Sequence, residues 1–366
     1  MSALVCGFLI VAWWQNGVGA WPALSFTDEG TFQIAIFEDL HFGEAENTNW
    51  GPLQDVDTLK VIRTVLGNES PQLVVLNGDL ITGENTLREN STNYVDEIVA
   101  PLVEAGLPWA STYGNHDSDF NLSRAAIYAR EKTYDNSLTQ WMVNASDTGV
   151  TNYYLPVYPT SNSTEPALIL WFFDSRGGNY YQARDNLTNI HGTSLPSLAF
   201  VHIPVDAFLA FQEEGVDANT EPGINADDPL AQQGDTSGQG DTETVFTYDD
   251  QDVPFMQALL DTENLMAVFS GHDHGNDWCF KWSSKLTGMT LTGNALDLCF
   301  SRHTGYGGYG SWSRGSRQVL VNLNTLGNST ETWNRLEDGS ITGAVSLNST
   351  FGTDEYPVVN YTYTSE

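Results

Sequence analysis

Basic residues are scarce in this chain: 14 Lys and Arg stand against 47 Asp and Glu in 366 residues, a formal net charge of -33. A surface of that sign repels polyanions, so neither a stable nucleic-acid partner nor an anchor on anionic lipid is expected. A nucleic acid is not thereby excluded as a substrate. No Lys or Arg occurs between Arg184 and Lys281. Beyond the first twenty residues no apolar run approaches the ~20 residues of a membrane span, which excludes an integral membrane domain from the expectations. Cysteine is rare as well, at three residues. There is no G-x-x-x-x-G-K-[ST] loop, no G-x-S-x-G elbow and no paired C-x-x-C spacing. Their absence removes P-loop nucleotide chemistry, a serine-hydrolase elbow and a structural zinc ribbon.

What is present is enough apolar material for a large core: 40% hydrophobic and 12% aromatic residues. The first twenty residues carry no charged side chain and centre on an apolar run, Ala3 to Trp14. Val18-Gly19-Ala20 follow as small residues ahead of Trp21. Residues 1–20 are therefore expected to be a signal peptide, residues 21–366 a single domain, and the protein secreted and extracellular. Nine Asn-x-Ser/Thr sequons agree, at Asn68, Asn90, Asn121, Asn144, Asn162, Asn186, Asn328, Asn348 and Asn360, and N-linked glycans are expected. With Cys6 inside the leader, Cys279 and Cys299 remain as one pair, suited to a disulfide, the alternative being two buried thiols.

Short continuous hydrophobic runs predict strands buried on both faces: Ile34 to Phe37, Leu73 to Leu76, Leu168 to Phe173, Leu198 to Val201 and Met266 to Phe269. Between the first two, Pro52 and Gly67 bracket a helix with Leu53, Val56, Leu59, Ile62 and Leu66 on its apolar face. A second helix is expected near Thr92 to Ala105, kinked or divided at Pro101. The alternation of strand and helix reads as an α/β core. Residues 213–252, with twelve acidic residues and no Lys or Arg, read as a solvated loop insertion. Residues 311–366 read as a β-rich end of the same domain.

Polar groups of one chemical kind follow those runs. Glu38, Asp39 and His41 come after Phe37, and Asn77, Gly78 and Asp79 after Leu76. Gly114, Asn115, His116 and Asp117 come after the stretch from Pro108 to Tyr113. His202 follows Val201, and Gly271, His272, Asp273 and His274 come just after Phe269. In α/β sheets ligands bind beyond the carboxyl ends of strands, so these blocks are placed to converge. Five of the seven histidines lie in them. Carboxylate, imidazole and carboxamide oxygen together suit Zn, Fe or Mn. His191 and His303 belong to no block and read as structural.

Asp39-x-His41, Gly78-Asp79, Gly114-Asn115-His116-Asp117, His202 and Gly271-His272-x-His274 resemble, in this order, the signature of the calcineurin-like metallophosphoesterase superfamily. His202-Ile203-Pro204, the segment from Gly271 to Cys279, the aromatic-glycine run from Cys299 to Gly310 and Thr332 to Leu336 look closest to its fungal and plant branch related to purple acid phosphatases. The resemblance implies a four-layer α/β/β/α sandwich with two mixed β-sheets and a binuclear centre of two divalent or trivalent transition-metal ions. It implies Asp39, His41 and His274 at the first metal, Asn115, His202 and His272 at the second, and Asp79 bridging. It further implies hydrolysis of a small phosphorylated substrate by a hydroxide between the metals, with His116 as general acid or oxyanion stabiliser. Asp117 either orients the His116 imidazole or caps the next segment. Purple members place a metal-binding Tyr three residues beyond the bridging Asp. Here that position is Thr82, and His41 supplies the replacement ligand, so no tyrosinate colour is expected.

A phosphate monoester is the expected substrate, a phosphodiester of a nucleotide, lipid headgroup or nucleic acid the alternative, and a non-catalytic binding glycoprotein the third reading. Arg176, beyond Asp174, reads as a phosphate-binding candidate with a surface loop as the alternative. Tyr306, with Tyr309 and Trp312, reads as a pocket wall or as packing on a neighbouring sheet.

Overall fold

Along β1 (Thr31–Phe37) and β2 (Leu73–Asn77) successive side chains leave opposite faces, and both faces are covered. Phe32, Ile34, Ile36, Leu73 and Val75 enter one apolar cluster, and Ala35, Phe37, Val74 and Leu76 enter another. A strand lying between two covering layers has no solvent face, which is why these runs are continuously hydrophobic.

The computed structural model describes residues 22–87, 91–118, 123–143, 148–176, 194–227 and 253–364. The expected signal peptide, His191, the sequons at Asn90, Asn121, Asn144 and Asn186, and residues 228–252 of the acidic stretch lie outside them. Besides β1 and β2, the strands are β3 (Trp109–Thr112), β4 (Tyr153–Val157), β5 (Leu168–Phe173), β6 (Ser197–Val201), β7 (Leu265–Ser270), β8 (Cys279–Trp282), β9 (Leu296–Phe300), β10 (Gly315–Asn322), β11 (Thr330–Leu336) and β12 (Ile341–Leu347). They form two six-stranded mixed sheets, ordered β12-β11-β10-β1-β2-β3 and β4-β5-β6-β7-β9-β8. One cluster, with Ile34, Val75, Leu170, Phe172 and Phe200, fills the space between the sheets. Helices α1 (Gly51–Asn68), α2 (Asn93–Ala105) and α3 (Arg124–Glu131) cover the first sheet; α4 (Asp206–Glu214) and α5 (Val253–Asp261) cover the second. The result is the expected α/β/β/α sandwich, with residues from 315 onward completing the first sheet beside β1.

Three local expectations need correction. The buried face of α1 is Gly51, Asp55, Thr58, Val61, Ile62 and Val65, while Leu53 and Val56 are exposed. Polar contacts set the rotation: Asp55 accepts the Gly43 N–H and the Thr58 hydroxyl accepts the Tyr306 N–H. Pro101 does not divide α2, which runs on to Ala105 with Pro101 buried in its face. The acidic stretch is not all loop. Glu213 and Glu214 close α4, and residues 221–224 are buried, with Ile224 N–H donating to Asp277 Oδ1 at 2.6 Å.

Cys279 and Cys299 sit opposite each other on antiparallel β8 and β9, and their sulfurs are bonded. The bridge ties an edge strand, five residues beyond His274, to the body of the second sheet.

Candidate metal centre

Every polar block begins within three residues of the end of a parallel strand: β1, β2 and β3 in one sheet, β6 and β7 in the other. The loops after β1 and β2 are laced together. Asp39 N–H donates to Gly78 O, and both Leu40 and His41 N–H donate to Asp79 O. Asp39, His41, Asp79 and His272 all take left-handed backbone, with φ of 51°, 50°, 48° and 76°. Non-glycine residues adopt this region at a cost, and folds retain it mainly where side chains must be aimed. Gly114 shows the crowding from the other side, since a Cβ there would strike Asp79 Oδ1.

Two triads result, Asp39 with His41 and His274, and Asp79 with His202 and His272, the ligating atoms of each lying within 4.8 Å of one another. They share a boundary: His202 Nε2 is 3.0 Å from Asp79 Oδ2 and 3.7 Å from Asp39 Oδ1. Asn115 Oδ1 and Asp39 Oδ1 are buried and accept no hydrogen bond from the described residues. His41 Nε2 faces His274 Nε2 at 3.2 Å. The far nitrogen of His41 has Thr82 Oγ1 beside it at 3.1 Å, and that of His274 has Tyr309 O at 3.0 Å and accepts the Tyr309 N–H at 3.2 Å. His202 Nδ1 likewise lies 2.8 Å from Asn77 O. A ring that gives its Nδ1–H to an oxygen turns an Nε2 lone pair inward, the arrangement metal-ligating histidines adopt. Two Asp and four His side chains thus converge as two adjoining triads, with Asp39 Oδ1 and Asn115 Oδ1 left uncapped, a donor set that fits metal ions.

The electrostatics agree. Burial opposes a charge on His202, yet the Asp79 and Asp39 carboxylates outweigh it and push the imidazole up to about 10. Burial, then the neighbouring His274, pulls His41 down to about 3. Burial, then His202, does the same for His272, to about 3. Burial opposes ionisation of Asp79, but His202 and His116 hold it well below the usual carboxylate range.

His116 stands beside this set, its ring centroid 5.1 Å from that of His41 and its backbone N–H donated to Asp79 Oδ1. Asp117 is turned elsewhere: Oδ1 accepts the Leu80 and Ile81 N–H groups and Oδ2 that of Gly114. It fixes the loop carrying Asn115 and His116, and does not hydrogen-bond the His116 ring. Tyr306 also has a structural place, its hydroxyl on Glu337 and its ring against the first-sheet helices. The aromatic residue at the centre is Tyr309, stacked on His274 at 4.0 Å and 10°. Its hydroxyl donates to Asp227 Oδ2 and accepts the His274 N–H. Arg176 has left-handed backbone (φ 62°) and gives its N–H to Asp174 Oδ1.

Sequence reasoning missed Arg124, which is buried under the centre, paired with Asp174 at 3.0 Å and hydrogen-bonded to Gly114 O. No local signal marks it, because its partners lie 10 and 50 residues away. His303, which belongs to none of the sequence blocks, lies with its ring 3.8 Å from that of His274 and its Nδ1 2.7 Å from Arg314. Burial, then Arg314, holds it well below the usual imidazole range.

The family model described as calcineurin-like phosphoesterase matches residues 32–276. Phosphatase DCR2 of Saccharomyces cerevisiae is 29% identical over 350 residues, covering 86% of this chain and 55% of that protein, so the chain spans little more than half its length. Probable inactive purple acid phosphatase 29 of Arabidopsis thaliana is 28% identical over 370 residues, covering 86% and 85%. Among solved structures, a dimetal phosphatase from Danio rerio superposes with a TM-score of 0.50 at 12% identity, covering 87% of this chain and 98% of that one. At that identity the superposition speaks for the fold alone.

Proposed function

This chain belongs to the calcineurin-like phosphoesterase family, and on that footing we propose that it hydrolyses phosphate monoesters at a two-metal centre. Asp39, His41 and His274 would hold one ion, Asn115, His202 and His272 the other, and Asp79 would bridge. The observation that carries this reading is the convergence of two Asp-His-His triads, the ligating atoms of each within 4.8 Å of one another, backed by the uncapped oxygens of Asp39 and Asn115. The ions, when bound, supply an activated water and neutralise charge on the phosphoryl group. The protein's own residues do the rest. His116, beside His41, would give a proton to the leaving oxygen, and Asp117, Arg124 and Asp174 keep its loop in place. The plant relatives carry "inactive" in their names. In this chain none of the seven ligand positions has lost its donor, which supports an active enzyme.

Secretion belongs to the same proposal. It is supported by the Cys279–Cys299 bridge, since disulfides persist in oxidising compartments. It is supported too by the exposure of the sequons at Asn68, Asn162, Asn328 and Asn360. The deciding experiment compares hydrolysis of a phosphate monoester and a diester carrying the same leaving group, with zinc, manganese or iron restored to chelator-treated protein. Faster monoester turnover that depends on metal is expected. A preference for the diester would move the assignment to phosphodiesterase, and no metal-dependent turnover of either would leave a binding protein.

A further inference from the structure

His303 is 2% exposed, and Arg314 Nη1 lies 2.7 Å from its Nδ1. A guanidinium has only hydrogens to give, so Nδ1 must be the accepting nitrogen and the neutral ring carries its hydrogen on Nε2. That tautomer is locked from behind. Arg314 also donates Nη2–H to Gly310 O and its backbone N–H to Glu337 Oε1, so it is not free to turn away. The chain is pinned as well: Gly315 N–H donates to His303 O, Thr304 N–H to Glu38 O and Gly305 N–H to Asp39 O.

What this frame presents is a donor with nothing to donate to. His303 Nε2 is buried and has no hydrogen-bond partner among the described residues. Folded proteins seldom leave a buried N–H in that state without a use for it. The ring packs on His274 at 3.8 Å and stands edge-on to His41 at 6.5 Å, against the first-metal triad. With its hydrogen on Nε2 and Arg314 at Nδ1, neither nitrogen offers a lone pair to a metal. The acceptor suited to such a group is an oxyanion brought in by a ligand.

We propose that His303 is a substrate-contacting residue whose Nε2–H donates to a phosphoryl oxygen bound on the Asp39–His41–His274 side of the centre. This rests on the two-metal reading above. Being neutral, the donor stabilises the anion without adding a charge among the metal ligands. It is distinct from His116, which is placed to deliver a proton.

The test uses the full chain loaded with zinc, inorganic phosphate as the probe, and metal content measured beside phosphate affinity by calorimetry. His303→Phe keeps a flat ring on His274 and removes the donor; His303→Gln puts an amide N–H near the position of Nε2. The expected result is two ions per chain in all three proteins, phosphate binding weakened about tenfold or more in His303→Phe, and much of it restored in His303→Gln. Unchanged phosphate affinity in His303→Phe would overturn the proposal, and so would loss of an ion, which would make His303 a support for His274. Wild-type protein that takes up no metal would overturn the two-metal reading itself. In wild-type protein labelled with [15N]histidine, one ring should be an Nε2–H tautomer whose Nε2 resonance moves on adding phosphate. An Nδ1–H tautomer at His303, or no movement, contradicts the proposal even if neither variant folds.

Discussion

Thr82 Oγ1 lies 3.1 Å from His41 Nδ1, so the residue standing where purple phosphatases place a metal-binding tyrosine serves here to orient a histidine. Thr82 and His41, far apart in the sequence, are in contact in space. Iron-loaded protein should therefore show no intense visible tyrosinate band, and such a band would mean that the ligand set is wrongly assigned. Thr82→Val should lower affinity at the first metal by about 10- to 100-fold, the usual cost of losing the partner of a ligating histidine. Competition with a coloured chelator reads this directly.

His116→Ala should keep both ions and the fold yet lose about 10²- to 10⁴-fold in kcat on an unactivated ester. The loss should be smaller with a nitrophenyl ester, whose leaving group needs little protonation. Equal losses on both would make His116 an oxyanion donor. Loss of metal would make it a ligand.

The imidazoles predict the proton traffic of metal uptake. At pH 8 the metal-free protein holds a proton on His202, pushed up to about 10, and none on His41 or His272, at about 3. Binding should release at least one proton per chain, that of His202, with any proton given up by an activated water in addition, measured by calorimetry in buffers of different ionisation enthalpy. Release of none would contradict His202 as a ligand. For metal-free stability the signs differ. The contribution of neutral His41 and His272 is complete above the unfolded value near 6.5 and lost as pH falls toward about 3. That of protonated His202 is complete below about 6.5 and lost as pH rises through about 10.

Non-reducing mass spectrometry should find Cys279 linked to Cys299, and two free thiols in oxidised material would contradict the bridge. Replacing both with Ser should cost about 2–4 kcal/mol of stability, read by denaturant unfolding.

The sandwich was legible because its central strands are apolar on both faces and because each ligand block follows its strand directly. Ile34 to Phe37 and Asp39 to His41 are neighbours in sequence as well as in space. What was not legible depends on partners far apart in the chain. The face of α1 is set by Gly43 and Tyr306, the stacking of Tyr309 on His274 by a loop 35 residues downstream, and the seat of the Gly114 turn by Arg124 and Asp174. Tyr306 and Tyr309 have the same glycine-rich setting in sequence, and only the tertiary contacts assign one to Glu337 and the other to the centre.

The most direct measurement is elemental analysis of the purified chain, paired with hydrolysis of one phosphate monoester before and after chelation. Two transition-metal ions per chain, activity lost with them and regained on their return are predicted. Full activity in protein that contains no metal and ignores the chelator would contradict the two-metal centre.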